Sequence, residues 1–547
     1  MTVNGHEYPP AAKMQIPGVS WLASWFTGGS GNTNKKDADR HIVMALLSPI
    51  TLILLLLAIL LAEATRKHRS PLQAVTGPPI SSITSLVLKW HEFRADRTGY
   101  IHQLHQRYGP VVRIAPNEVA FASPAAVKEI YGSGGSGYDK TEFYDLFTVF
   151  GRRTMFTTLN KQDQHARRKR ILADRYANAN VLRPESVSGI TSRARALAQR
   201  LVSGDLSYFL ARSKHVVRPL LTHLDRCLLY ALALHSYAFD CVTNHLFHPH
   251  GSHSLERSLD EDVMREVTFD DSLHNRLVQY YCPTFHRLVN KALRLIAKPR
   301  ETPLADKFVA SSCSTTNASR FTLLSRLQDR SGDDIDGVDI KAECLDHMAA
   351  GIDTTGDALC FLMWEISQPR SLRFQRMLQD EIRKSPSAPA ESLPFLDAVI
   401  HEGLRCFPAI PMSLPRYVPQ GGRSIDGYFI PGSTIVSCQA YSVHRLDEAA
   451  FPMPDEFNPE RWLEERGAAK RNRLFFAFSS GGRGCVGKHL ALTEMRMALR
   501  EIYSQFTTVP DPTMTEDMMV MAHQPISSRP KGQICLLRMI PSNEKSS

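Results

Sequence analysis

Between Phe476 and Leu499 the chain reads FAFSSGGRGCVGKHLALTEMRMAL, and no other stretch restricts the fold as much. Cys485 follows a glycine-rich turn and opens an amphipathic helix predicted to run to about Ile502. A helix N-terminus presents unpaired N–H groups and positive dipole to a sulfur placed there, so the thiol pKa of Cys485 is expected to be lowered. Gly481, Gly482, Gly484 and Gly487 remove the Cβ atoms that would hold the backbone away from something flat and bulky. Arg483 offers a cation to an anionic group beside the sulfur, and Phe478 offers an apolar wall to shelter it. The ten cysteines of the chain form no C-x-x-C pair, which excludes zinc ribbons and dithiol redox motifs and fits a reducing compartment.

Of the 547 residues, 43% are hydrophobic, enough for a large packed core, so disordered, collagen-like and small disulfide-stapled classes are excluded. The formal net charge of +10 suits nucleic acid, an anionic membrane or an acidic protein partner, and composition does not choose among them. From Ile42 to Ala62 the sequence IVMALLSPITLILLLLAILLA carries no charge. As a helix it would be about 31 Å long, enough to cross a bilayer core. A cleaved signal peptide fits less well, because so long a polar segment precedes the run. Lys35, Lys36 and Arg40 before it balance Arg66, Lys67 and Arg69 after it, so flanking charge gives no orientation.

The chain is accordingly divided into a polar segment 1–41, a membrane anchor 42–62, a proline-rich connector 63–80 and one body, 81–547. The body reads as mainly helical with small β-sheets. Helices are predicted over 159–176, 186–202, 218–247 and 339–367, two short strands over 113–122 around an Asn turn, and a hairpin over 425–438 turned at Pro431-Gly432. Gly132, Gly134 and Gly137 match a dinucleotide-binding spacing, but a helix-like stretch rather than a strand precedes them, so they read as a loop. His245, His248, His250 and His253 crowd together, yet Pro249 and Gly251 break any helix that would align them, and a solvated loop is expected.

Phe478, Gly481, Arg483, Cys485 and Gly487 together fill F-x-x-G-x-R-x-C-x-G, which resembles the haem-thiolate signature of the cytochrome P-450 monooxygenases. The resemblance extends over the body. Ala350 to Thr355 (AGIDTT) resembles the oxygen-activation motif of that family, and a Thr inside a helix can bond back to a carbonyl and open the ladder locally. Glu402 and Arg405 lie at i and i+3 and resemble its E-x-x-R, completed by Arg461 in FNPERW; this triad is read as structural. Arg416 matches an Arg that follows the E-x-x-R helix. His165 matches the first position of a W/H-x-x-x-R pattern whose last position here is Lys169, flanked by Arg168 and Arg170. Lys lacks the bidentate fork of Arg, so the cation that would meet a haem propionate is open among these three.

The resemblance implies the cytochrome P-450 fold, preceded by one N-terminal transmembrane helix, and haem b (iron protoporphyrin IX) with Cys485 as axial iron ligand. It implies that Phe478, Gly481, Arg483, Gly487, Arg416, His165 and Lys169 surround the haem, and that Asp353 passes protons to Thr354. It further implies O2 as co-substrate, electrons from NADPH through a cytochrome P-450 reductase docking near residues 167–170 and Lys488, and no nucleic-acid partner. One oxygen atom would enter a hydrophobic small molecule. A haem-thiolate isomerase or dehydratase without external electrons, and a haem-based carrier or sensor, are the alternatives; the Asp353-Thr354 pair argues against the first. Phe143, Phe147, Phe150, Phe156, Ala350, Ile410 and Met412 are expected at the substrate pocket. The overall style is similar to filamentous-fungal enzymes of secondary metabolism, which implies a polyketide, terpenoid or peptide-hybrid intermediate as substrate. The family also implies an endoplasmic-reticulum anchor with the body in the cytosol, where the Asn317-Ala318-Ser319 sequon would be idle.

Overall fold

The computed structural model describes residues 71–542 except 133–136, 161–164, 204–228, 269–272, 294–301, 333–334 and 524–525, together with helical residues 51, 53–58 and 61–62. The chain divides into two units, Met1–Arg69 and Ser70–Ser547. In the first, the side chains of Ile53 to Leu57 are exposed. Most of the expected anchor, 42–62, lies outside the described residues, and among those described no helix is long and apolar enough to cross a membrane.

Six helices of the second unit matter most: α1 (His165–Leu172), α2 (Pro184–Ser203), α3 (Leu229–Phe247), α4 (Gly337–Ser367), α5 (Pro394–Cys406) and α6 (Lys488–Tyr503). Helix α4 is the axis of the core. Asp336 caps it by accepting from the N–H groups of Val338 and Asp339, and Asp339 reaches back to complete a capping box. Its 31 residues extend about 46 Å. Helix α3 lies close against it because α4 carries glycine at the crossing. A Cβ at Gly351 would stand 2.7 Å from Val242, and one at Gly356 would stand 2.9 Å from His235. Predicted and observed limits agree within two residues at both ends of α2 and α4.

A five-stranded sheet runs in the order β1-β2-β7-β4-β3, from β1 (Val111–Ala115), β2 (Glu118–Phe121), β3 (Asp139–Lys140), β4 (Arg416–Tyr417) and β7 (Ile435–Cys438). The β1–β2 pair is the predicted antiparallel pair around Asn117. The second hairpin differs from expectation. Strands β5 (Arg423–Ile425) and β6 (Tyr428–Ile430) turn at Asp426-Gly427, both with positive φ, whereas β7 pairs parallel to β2. Asp-Gly fits a turn whose two central residues both need φ > 0; Pro431, with φ fixed negative, does not.

Three other expectations change. Part of the predicted connector belongs to the body: Leu72 and Val75 are buried beside Val111 and Ile425, and Arg113 N–H donates to Thr76 O at 2.8 Å. Of the helix predicted over 159–176, residues 161–164 lie outside the described residues, α1 covers His165–Leu172, and 173–176 form a turn from which Tyr176 meets His347 Nδ1 at 2.6 Å. His245 is in the core rather than in a solvated loop, packed on the Tyr176 ring, while His248 and His250 bond Ser319 and Asn317. These histidines share no ligand geometry. Lys128–Gly132 is a helical turn after another helix, as the loop reading of the glycine motif requires; Gly134 lies outside the described residues.

Candidate active site

Stretches far apart in sequence line a cavity of about 1480 Å³, a volume that includes its opening to solvent. One wall comes from the Cys485 loop, through Phe478, Arg483, Cys485 and Gly487. A second comes from one stripe of α4, through His347, Ala350, Gly351, Thr354 and Thr355. A third comes from the segment after α5, through Ile410, Leu414 and Arg416.

The loop is set by its own backbone. Cys485 N–H donates to Phe478 O at 2.9 Å and Gly484 N–H to Gly481 O at 3.0 Å, and helix α6 begins at Lys488 with Gly487 as its cap. The glycines act differently from expectation. Gly481 has φ +65° and its Cβ would fall 2.0 Å from Tyr131 O, so it serves loop packing and does not line the cavity. Gly482 has open space around it, and a Cβ on Gly487 would lie 3.9 Å from the Cys485 sulfur.

Cys485 is an exposed residue and lines the cavity. Burial raises the thiol pKa, opposed by the N–H groups of Gly487 and Lys488 and by the ammonium groups of Lys169 and Lys488. The expected helix-terminus effect is present, but desolvation outweighs it and the net shift is upward. A cation bound to the sulfur would reverse that balance.

A cluster of cations occupies one end of the cavity. Arg416 donates to Tyr144 Oη at 2.7 Å and to Pro415 O at 2.8 Å. Arg483 donates to Thr158 O at 2.8 Å and Leu159 O at 3.1 Å. Lys169 donates to Gly482 O at 2.8 Å. The flanking basic residues turn elsewhere: Arg168 pairs with Glu343 at 2.9 Å, and Arg170 bonds its own helix at Ala166 O. Among the three cations left open by sequence, Lys169 alone lines the cavity.

Lys140 completes the cluster. Strand β3 pairs it with Arg416 of β4, and its buried ammonium donates to Phe156 O and lies 4.3 Å from the Tyr144 ring centre. Burial, then Arg416, then Arg483, push its pKa well down. His165 lines the same end, and burial followed by these cations pushes its pKa down to about 3, leaving it neutral. Lys140, Lys169, Arg416 and Arg483 thus line the cavity, with Asp346 and Glu494 as the carboxylates on its lining among the described residues. Such a surplus suits an anionic ligand with two or more carboxylate oxygens.

On α4, Thr354 Oγ1 donates to Ala350 O at 2.7 Å, as a helix Thr is expected to, but the helix continues through it without interruption. Asp353 does not line the cavity; its carboxylate meets Arg529, in the short strand Ser528–Pro530, at 3.2 Å. Adjacent helix residues point about 100° apart, which is why the neighbours face different surroundings. Thr355 Oγ1 donates to Glu494 Oε2 at 3.2 Å. Glu494, buried on α6, has its carboxyl pushed up to about 8 by burial.

The Glu402 triad is buried throughout. Arg405 donates to both Glu402 oxygens at 2.9 Å, Arg461 to Oε1 at 3.0 Å, and Trp462 Nε1 to Oε2 at 2.8 Å. His444 carries this joint to the cysteine loop. Its Nδ1 bonds Arg405 O at 3.0 Å and its Nε2 accepts from Phe476 N–H at 2.8 Å, so the proton is on Nδ1.

Lys140, His444 and Glu494 were missed in the sequence. Lys140 sits in what reads as a polar turn, and only the β3–β4 pairing brings it to Arg416. Glu494 did leave a signal: an acid on the apolar side of the predicted helix, three residues after Ala491.

Of the expected pocket residues, Phe156, Ala350 and Ile410 line this cavity, whereas Phe143 and Met412 line another. Phe147 packs between Phe143 and Phe156, and Phe150 faces solvent at 41% exposure with positive φ.

The sequence model of the family Cytochrome P-450 matches residues 258–536, just over half of the chain. Cytochrome P-450 monooxygenase tazI of Aspergillus terreus is 28% identical over 89% of this chain and 97% of its own length. The monooxygenase stcB of Emericella nidulans is 27% identical over 86% of this chain and 89% of its own, and cpaH of Aspergillus oryzae is 28% identical over 87% and 90%.

Proposed function

The chain belongs to the cytochrome P-450 family, and from that premise we propose that it is a monooxygenase whose haem b is held between Cys485 and the stripe of α4 around Thr354. The observation that carries this reading is that Cys485 lines one cavity together with Lys140, Lys169, Arg416 and Arg483. The residues present fit the group. A soft thiol supplies an iron ligand, the loop leaves space over it, and Lys140, Lys169, Arg416 and Arg483 match two propionates. Bound there, the haem supplies dioxygen activation and transfer of one oxygen atom to the substrate, the other leaving as water.

The protein's own groups have narrower tasks. Cys485 gives the iron its thiolate. His444 and the Glu402 triad keep the cysteine loop in place. Phe478 and Val486 line the cavity together with Cys485. Thr354 holds a proton at Oγ1 against the cavity. Asp353 serves as its proton source only by releasing Arg529, so the ion pair acts as a restraint on that step.

Electrons are taken from NADPH through a cytochrome P-450 reductase, and residues 42–62 anchor the chain in the endoplasmic reticulum with the body, 81–547, in the cytosol. The substrate is a hydrophobic secondary-metabolite intermediate, supported by the apolar lining at Phe156, Ala350 and Ile410. The test compares metabolites, by accurate mass, in source cells making the native chain or Cys485→Ala. A product should vanish while a precursor one oxygen atom poorer accumulates. Unchanged profiles together with an unchanged ferrous–carbonyl spectrum would sink the reading. Thr354→Ala should keep NADPH consumption while lowering product per NADPH.

A further inference from the structure

Helix α4 carries Asp353, Asp357 and Cys360 at spacings of four and three, which set them along one side of the helix. Helix α3 passes at Gly356, where a Cβ would stand 2.9 Å from the His235 ring, so His235 comes down beside Asp357. Its Nε2 lies 3.3 Å from Asp357 Oδ1. An imidazole nitrogen, a carboxylate oxygen and the Cys360 sulfur thus lie within 4.8 Å of one another. His235, Asp357 and Cys360 are buried, and none of them lines the Cys485 cavity.

The carboxylates of this cluster are incompletely satisfied. Arg529 is committed to Asp353 Oδ2 at 3.2 Å and to Thr268 O at 2.9 Å. Asp357 meets the imidazole with Oδ1, while its Oδ2 has no hydrogen-bond partner among the described residues. A buried carboxylate oxygen is normally paired with donors or with a metal ion. Contact with the Cys535 thiol, then burial, raise the pKa of Cys360, so its sulfur keeps a proton unless a cation displaces it.

A divalent ion of the zinc class meets these conditions together, because it takes nitrogen, oxygen and sulfur donors in one tetrahedral set. Bonds of about 2.0–2.3 Å place such donors about 3.3–3.8 Å apart. His235 and Asp357 already stand at that spacing, and the whole group is within about 1 Å of it. The ion sits between the donor atoms themselves, so the bound state needs no cavity. On binding, Cys360 releases its thiol proton to solvent, while the Asp357 carboxylate and a neutral imidazole release none. Two positive charges then meet one carboxylate and one thiolate, which leaves the buried group neutral beside the Asp353–Arg529 pair.

We propose that His235, Asp357 and Cys360 form a zinc site that fastens α3 to α4 about one turn beyond Thr354. The site is separate from the Cys485 cavity, and the proposal goes beyond the function given above without depending on it. The fourth position of the ion is left to water or to a further protein donor.

The test uses the full chain as isolated, prepared without a polyhistidine tag and dialysed against zinc chloride buffered by a chelator. Metal analysis should find one zinc per chain. X-ray absorption at the zinc edge should show one sulfur at about 2.3 Å beside nitrogen and oxygen at about 2.0 Å. Cys360→Ser should abolish the sulfur signal, and Asp357→Asn should keep it. Each should weaken zinc binding by at least about 10–100-fold, the loss that even an outer partner of a metal site causes. Zinc should raise the melting temperature of the native chain and leave that of Asp357→Asn unchanged. A native chain that takes up no zinc overturns the proposal, and a plain ion pair between His235 and Asp357 predicts that result. Zinc bound without sulfur, as at surface histidines, overturns it too, as does a sulfur signal that survives in Cys360→Ser. Circular dichroism shows whether each variant is folded, and if neither is, the zinc content and sulfur signal of the native chain decide.

Discussion

Two clusters of charge near the cysteine loop are built on opposite rules. Around Glu402 the charges are matched: both carboxylate oxygens receive guanidinium N–H groups, and Arg405 also reaches Pro454 O and Glu456 O. Around Arg416, four cations gather on carbonyls and a phenol, with little opposing negative charge. The first is complete without any guest. The second is stable only at a cost that an anionic guest would remove. A saturated cluster therefore marks a joint and an unsaturated one marks a site, although both are rich in arginine.

Breaking the saturated cluster should have the largest effect. Glu402→Gln leaves two buried guanidinium groups without a counter-charge and should destabilise the fold by about 3–5 kcal/mol, read from the urea midpoint. An effect below about 1 kcal/mol would mean that the triad is not the joint between α5 and the cysteine loop.

Glu494 gives a pH test on the other side. Its carboxyl rises from an ordinary 4.5 to about 8 in the folded protein. The folded chain thus holds a proton that the unfolded chain has released. The stability this contributes is complete below pH 4.5 and is lost as pH rises through about 8. Glu494→Gln should flatten that decline, gaining up to about 4 kcal/mol on the native chain at pH 9 relative to pH 4. Parallel melting curves across that range would refute the buried, protonated acid.

Lys140→Met tests the unsaturated cluster with opposite signs in two states. Without haem the variant should be more stable by about 1–3 kcal/mol, because a desolvated cation is gone. Haem affinity should nevertheless fall by about tenfold or more, since a charged partner has been lost. A change of the same sign in both measurements would erase the distinction between joint and site. The smallest effect is expected at Lys169, whose contact is one hydrogen bond to Gly482 O. Lys169→Ala should cost about 0.5–1 kcal/mol and leave the ferrous–carbonyl band in place.

Much of the site was legible wherever its cause is local. The F-x-x-G-x-R-x-C-x-G run closes on its own backbone hydrogen bonds, and the Glu402–Arg405 pair follows from helical spacing. Thr354 bonds back one turn for the same reason. Local reading failed where two forces compete or distant segments meet. The thiol of Cys485 was expected to shift down from its place before a helix, but burial prevails. The glycines were read as room for a ligand, yet Gly481 makes room for Tyr131. Asp353 was paired with Thr354 by adjacency, although the helix turns them to different neighbours.

The sequence by itself determined the family, the mainly helical body, the cysteine loop and the Glu402–Arg405 pair, because each is written in short local patterns, and Arg461 was found through a motif of its own. Only the tertiary structure decided that Lys140 stands opposite Arg416, that Lys169 faces the cavity while Arg168 and Arg170 do not, and that Phe143 and Met412 share a second cavity. Those juxtapositions depend on strand pairing and burial across some 270 positions of chain, and neither leaves a local mark in the order of amino acids.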